Sequence, residues 1–253
     1  MHKRLKILDI WVDPVNRRDA VKKVEEFLKW GKRPYSIFAA NPEKNFTVPK
    51  DPLLYNVFKN ADLLIPDGIG IVMAARILYG AKLSRVPGVE LMENICELAA
   101  KKGKKVFIYG AGEEVNKSAV EKLVIRYPGL NISGRSNGYV DEKEMGDLVN
   151  RINESQAEIL FLALGSPKQE KWFETYKNFL TNIKICQGIG GTLDTIAGNV
   201  KRAPESRRQC SAEWLYRLIS EPKRIKRQKM LPVFAALVLI HKLKSSLKTQ
   251  EKR

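Results

Sequence analysis

Short apolar runs alternate along most of the chain with longer stretches whose apolar residues recur every three or four positions. The short runs predict strands at 5–12, 35–40, 62–65, 105–109, 130–133, 158–164 and 183–187. Between most of them lie helical patterns. The stretch 16–30 places Val21, Val24, Phe27 and Leu28 on one face, and Asp51-Pro52 offers an N-cap followed by proline at the first helical position. A pattern over 89–102 closes at Gly103, and one over 114–127 is followed by Pro128-Gly129. Alternating strands and helices predict an α/β fold, a largely parallel, Rossmann-like sheet with helices on both faces. Residues 1–199 form that domain, and residues 200–253 a basic helical appendage.

Ligands of such a sheet bind outside the carboxyl ends of its strands. Four post-strand loops there carry unusual residues: Ala39-Ala40-Asn41-Pro42-Glu43-Lys44, Pro66-Asp67-Gly68-Ile69-Gly70, Gly165-Ser166-Pro167-Lys168-Gln169-Glu170 and Gly188-Ile189-Gly190-Gly191-Thr192-Leu193-Asp194. Each alone reads as an ordinary turn. Together on one edge, each offering a carboxylate, amide or glycine, they favour a site. A further strand runs into Gly110-Ala111-Gly112, with Val115 where a G-x-G-x-x-G fingerprint requires its third glycine. That mismatch argues against a dinucleotide cofactor. The turns holding Gly110 and Gly112, and Gly190 and Gly191, still suit a diphosphate or ribose held by backbone N–H groups before a helix. Asp194 either binds ribose or caps the helix that follows.

Charge changes the picture at the C-terminus. The chain of 253 residues carries a net charge of +17, of which +11 falls in residues 200–253, with fifteen Lys/Arg against four Glu. Such asymmetry implies an anionic partner. Nucleic acid is disfavoured as that partner, because aromatics are not interleaved with the cations beyond Tyr216 and no known motif occurs. Residues 230–240 are apolar apart from the break at Pro232, too short to span a bilayer, and are framed by Arg224, Lys226, Arg227 and Lys229 before and Lys242, Lys244 and Lys248 after. That layout suits a helix lying in an anionic membrane surface; a core helix is its bland counterpart. No apolar leader is visible, and three scattered cysteines, Cys96, Cys186 and Cys210, suit a reducing compartment, so a cytoplasmic protein is expected. The only histidines are His2 and His241, and neither a D-x-D triplet nor a G-x-x-x-x-G-K-[ST] loop occurs, so no metal or cofactor is expected. A leaving diphosphate would depend on arginines, lysines and helix N-termini.

At these loops the chain resembles the WecG/TagA/CpsF glycosyltransferase family. The matching blocks are Asn41-Pro42-Glu43-Lys44, Pro66-Asp67-Gly68-Ile69-Gly70, Arg85-Val86-Pro87-Gly88 and Gly165-Ser166-Pro167-Lys168-Gln169-Glu170, then the glycine loop through Asp194, Gly198-Asn199-Val200-Lys201-Arg202-Ala203-Pro204, and Glu213-Trp214-Leu215-Tyr216-Arg217-Leu218 with Glu221-Pro222. The resemblance implies an inverting, metal-independent transferase of bacterial surface-polymer synthesis. In members that make wall teichoic acid, N-acetylmannosamine passes from a UDP donor to N-acetylglucosamine-diphospho-undecaprenol; other members use N-acetylmannosaminuronic acid or hexoses. Carried over by position, Asp67 is the implied general base, and Asn41, Arg85 and Gln169 line the pocket. Ala39 stands where some relatives have threonine.

Arg217, Arg224 and Arg227 are spaced by seven and three residues, so a continuous helix would put them on one face, within reach of donor or acceptor diphosphates if the tail folds back over the strand edge. Pro222 would kink that helix. A homo-oligomer is left open.

Overall fold

A computed structural model describes residues 3–199 and 230–250. Arg217, Arg224 and Arg227 lie outside the described residues.

The first predicted strand is in fact a two-stranded antiparallel hairpin, β1 (Leu5–Ile7) and β2 (Ile10–Val12). The turn is made at Leu8, whose φ of 54° no glycine or asparagine announces. Ile7, Ile10 and Val12 are fully buried. Asp13 then latches the hairpin in place: its Oδ2 accepts the Leu64 N–H at 2.7 Å, and both its oxygens accept from the Arg4 guanidinium at 2.7 Å.

Helix α1 (Arg17–Trp30) starts in a capping box, with the Asn16 side chain accepting the Asp19 N–H and Asp19 accepting from Asn16. It leads to β3 (Tyr35–Ala40), the short α2 (Lys44–Thr47) and α3 (Pro52–Asn60), which Asp51 caps through the Leu54 N–H. β4 (Leu63–Pro66) and α4 (Ile69–Tyr79) follow, then α5 (Gly88–Lys102), which stops at Gly103 in the left-handed conformation. The remaining units are β5 (Lys105–Gly110), α6 (Glu113–Arg126), β6 (Asn131–Ser136), α7 (Met145–Glu154), β7 (Ile159–Ala163), α8 (Lys168–Tyr176), β8 (Ile185–Gly188) and α9 (Thr192–Ala197). A last described helix, α10, spans Met230–Gln250.

The six strands β3 to β8 pair in the order β4-β3-β8-β7-β5-β6, every pair parallel. Strand alternation sends apolar side chains to both faces. Phe38, Leu64, Phe107, Leu160 and Leu162 enter one core with Phe58, Trp172 and Phe173. Ile37, Ile65, Ile108, Ile159 and Phe161 enter the other with Val24, Met92 and Ile95. A sheet coated on both sides is what the alternation of strands and helices predicted.

Helix α10 belongs to the first core through Phe234 and Val238, which are buried, and it packs on α4. Further along, apolar residues are left uncovered: Leu237, Leu239, Ile240, Leu243 and Leu247 are exposed, the last two by 65% and 62%. Among the described residues no helix is long and apolar enough to cross a membrane.

Candidate active site

The strand order puts the carboxyl ends of β4, β3, β8 and β7 side by side, and the loops that leave them enclose a cavity of about 610 Å³. Asn41, Asp67, Arg85, Gln169, Gly190 and Gly191 all line it. A depression of similar size, about 620 Å³, lies at the amino ends of the strands. Charged groups there pair locally, Lys184 with Glu158 and Arg33 with Asp62. Most of the described residues that the sequence singled out converge instead at the carboxyl edge.

Local geometry explains each placement. Asn41 folds the chain back after β3, its side-chain oxygen and its carbonyl both accepting the Lys44 N–H, at 3.3 and 3.1 Å. Asp67 ends β4 with its N–H donated to Ala40 at 3.0 Å, and Gly68 at φ 123° turns the chain into α4. The half-buried carboxylate faces the first turn of α5: a Cβ placed on Gly88 would stand 3.8 Å from Asp67 Oδ2. A helix N-terminus favours negative charge beside it. Arg85 sits in the extended segment before α5, anchored where Val86 donates its N–H to Pro66 at 2.9 Å.

Gln169 is 5% exposed. Its Oε1 accepts the Gly190 N–H at 3.0 Å, and its Nε2 donates to Glu170 Oε1 at 3.4 Å. Gly188 makes room for it, since a Cβ there would lie 2.5 Å from Gln169 Nε2.

Three expected ligand residues stand apart from this cavity. Gly110 and Gly112 flank the turn after β5 and do not line it. Gly110, at φ 126°, is required by close strand approach, because an added Cβ would collide with the Ala163 backbone. Asp194 lies half-buried in the first turn of α9, one residue from Thr195, which does line the cavity.

Other residues that shape the site carried no assigned part in it from the sequence. Gln187, buried in β8, donates to the Gly88 carbonyl at 2.9 Å and so fixes the start of α5 opposite Asp67. Lys44 and Glu170 form a buried ion pair in the cavity wall. Asp51 caps α3 and pairs with Lys171. Met230, the first residue of α10, reaches the lining as well. Among the described lining residues the cations are Lys44 and Arg85, against the carboxylates of Glu43, Asp51, Asp67 and Glu170. No group of three or more His, Cys, Asp or Glu side chains among the described residues is arranged to hold a metal ion.

Comparison with known proteins decides the family. The model of the glycosyl transferase WecG/TagA/CpsF family matches residues 5–248. The chain belongs to that family. It is 36% identical over 203 residues to the N-acetylglucosaminyldiphosphoundecaprenol N-acetyl-beta-D-mannosaminyltransferase of Bacillus subtilis (strain 168), covering 80% of this chain and 78% of the relative. The enzyme of the same name from Bacillus spizizenii is 36% identical over 211 residues, covering 83% and 80%. That from Staphylococcus aureus (strain MRSA252) is 36% identical over 199 residues, covering 78% and 77%. The WecG/TagA/CpsF match includes β1 to α9 and nearly all of α10, so the helix that touches the cavity is part of the family's unit.

Proposed function

We propose that the protein transfers N-acetylmannosamine from a UDP donor to N-acetylglucosamine-diphospho-undecaprenol, with inversion. The observation that carries this reading is Asp67, a carboxylate at the wall of a cavity built by four post-strand loops, in a chain of a glycosyl transferase family. The names of its relatives supply the sugar and the acceptor. In the reaction, an acceptor hydroxyl oxygen bonds to the anomeric carbon while the bond from that carbon to the UDP oxygen breaks. Asp67 takes the hydroxyl proton. The transition state has oxocarbenium character, as in glycoside hydrolysis.

The described lining supplies more carboxylates than cations, so stabilising the departing UDP falls to Arg85, to helix N-termini and to cations from residues 200–229, among them Arg217, Arg224 and Arg227. Asn41 and Gln169 are the amides placed to orient sugar hydroxyls. Gly190 and Gly191, with Asp194 one turn on, suit the diphosphate and ribose. The Gly110-Ala111-Gly112 turn lies on the same sheet edge beyond β7, where the far end of an extended nucleotide would reach.

The acceptor is a lipid, and α10 offers a way to meet it. Its exposed leucines and isoleucine, with Lys242 and Lys244 beside them in sequence and the cations of residues 223–229 before them, give an apolar surface framed by charge, suited to the anionic inner face of the cell membrane. UDP release against a panel of UDP-sugars, with a lipid-linked N-acetylglucosamine acceptor, tests the reading. Release only with UDP-N-acetylmannosamine supports it. Release with a uronic acid or hexose donor instead would assign another donor to the same site, where Ala39 presents no hydroxyl to the cavity.

A further inference from the structure

Behind the Gln169 amide, in the cavity wall, Lys44 and Glu170 make buried polar contacts to which the transfer step assigns no role. Lys44 is 5% exposed and Glu170 1% exposed, with Lys44 Nζ 2.8 Å from Glu170 Oε1. The same ammonium bonds Ser166 Oγ and sits 4.9 Å from the ring centre of Phe58. Glu170 Oε1 also accepts from Gln169 Nε2, and Gln169 Oε1 accepts the Gly190 N–H. Three loops, from β3, β7 and β8, are thereby tied to one buried cation. Replacing a buried ion pair by packed apolar groups is often neutral or stabilising, so stability alone does not account for it. Glu170 Oε2 is buried with no hydrogen-bond partner among the described residues, a further cost that packing does not explain.

We propose that Lys44 and Glu170 are positioning residues: the pair orients the Gln169 amide and, through it, holds the 188–191 turn in the shape that receives the donor. The inference rests on the transferase reading of the cavity. With Lys44 gone, Glu170 Oε1 is no longer held in place, the Gln169 Nε2 bond to that oxygen loosens, and the Gln169 oxygen that accepts the Gly190 N–H is free to shift.

Four variants test this: Lys44→Met, Glu170→Leu, Glu170→Gln and the paired Lys44→Met/Glu170→Leu. Each is assayed for melting temperature, for kcat and KM in UDP release, and for amide exchange of the 188–191 turn. The paired variant is expected to melt at or above the wild type, since it removes both charges together. It is expected nonetheless to lose on the order of 100-fold in kcat/KM, the cost of a small misplacement of reacting groups. Exchange at Gly190 should quicken about tenfold, as for one lost hydrogen bond, with the sheet amides unchanged. Glu170→Gln keeps an acceptor for Gln169 and should return most of that protection; Glu170→Leu should not. A paired variant within about tenfold of wild-type kcat/KM overturns the proposal, as does unchanged exchange at Gly190. If the paired variant does not fold, equal exchange at Gly190 in Glu170→Gln and Glu170→Leu overturns it instead. Amide exchange needs no substrate, and wild-type UDP release tests the transferase reading separately, so the two can fail apart.

Discussion

The proposed mechanism concentrates the chemistry in one carboxylate, Asp67. Asp67→Asn should reduce transfer by about 10²–10⁴-fold, the usual worth of a general base, while UDP binding measured by calorimetry and the melting temperature stay near wild type. Activity within a few-fold of wild type would show that another group takes the proton. The thiols make the opposite statement. Burial, with a smaller contribution from Glu93, pushes Cys96 up to about 12, and complete burial raises Cys186 well above the ordinary thiol range. Both should therefore resist iodoacetamide at pH 8 in the native protein, read by mass spectrometry of their peptides, and react only on unfolding. Asp67 was legible in the sequence because it follows an apolar run and precedes a glycine, and family resemblance gave it a role. Glu170 was visible only as part of a motif. Its partner is 126 positions away, and no local pattern announces a pair closed by the sheet.

At the scale of elements, whatever is decided locally was readable. Gly103 stops α5 and Asp51-Pro52 opens α3, as expected from cap chemistry, and the 16–30 pattern begins at Asn16, which caps α1. The hairpin was not readable, because Leu8 holds a left-handed conformation that its tertiary setting imposes. Helix caps and turns give two tests. Asn16→Ala removes one half of the capping box and should cost about 1 kcal/mol in chemical denaturation. Asp51 is held below its ordinary value of 3.8, first by the hydrogen bond from Lys171 and next by the Leu54 N–H. A depressed carboxyl stabilises above its unfolded value and loses that contribution as pH falls through the folded one. Melting temperature should therefore drop on acidification below about pH 4, less steeply in Asp51→Asn, which keeps a cap but not the charge. Parallel curves for the two proteins would remove the Asp51–Lys171 pair from the account.

For the whole molecule, the strand order that brings four loops together was only partly legible: alternation predicts a parallel sheet, not which strands neighbour. Helix α10 had two readings, core helix and membrane element; Phe234 and Val238 are buried as a core helix requires, while Leu243 and Leu247 are exposed and leave membrane contact to be tested. Changing those two exposed residues, Leu243→Glu with Leu247→Glu, should leave the melting temperature unaltered and abolish flotation with anionic liposomes. Retained flotation would move membrane contact to other residues. Turnover should survive EDTA, since the chain has no D-x-D triplet and leaves the diphosphate to cations; arrest by chelation with recovery on adding Mg²⁺ would refute that.

Met230 stands in the cavity lining while the rest of α10, roughly 30 Å at 1.5 Å per residue, leads away with leucines outward. If that helix rests in the lipid interface, the mouth of the site is fixed at a set height above the headgroups, and the isoprenoid chain never has to leave the bilayer. The enzyme then samples its acceptor in two dimensions. In mixed micelles its rate should follow the mole fraction of acceptor in the surface and stay constant when micelles and acceptor are increased together.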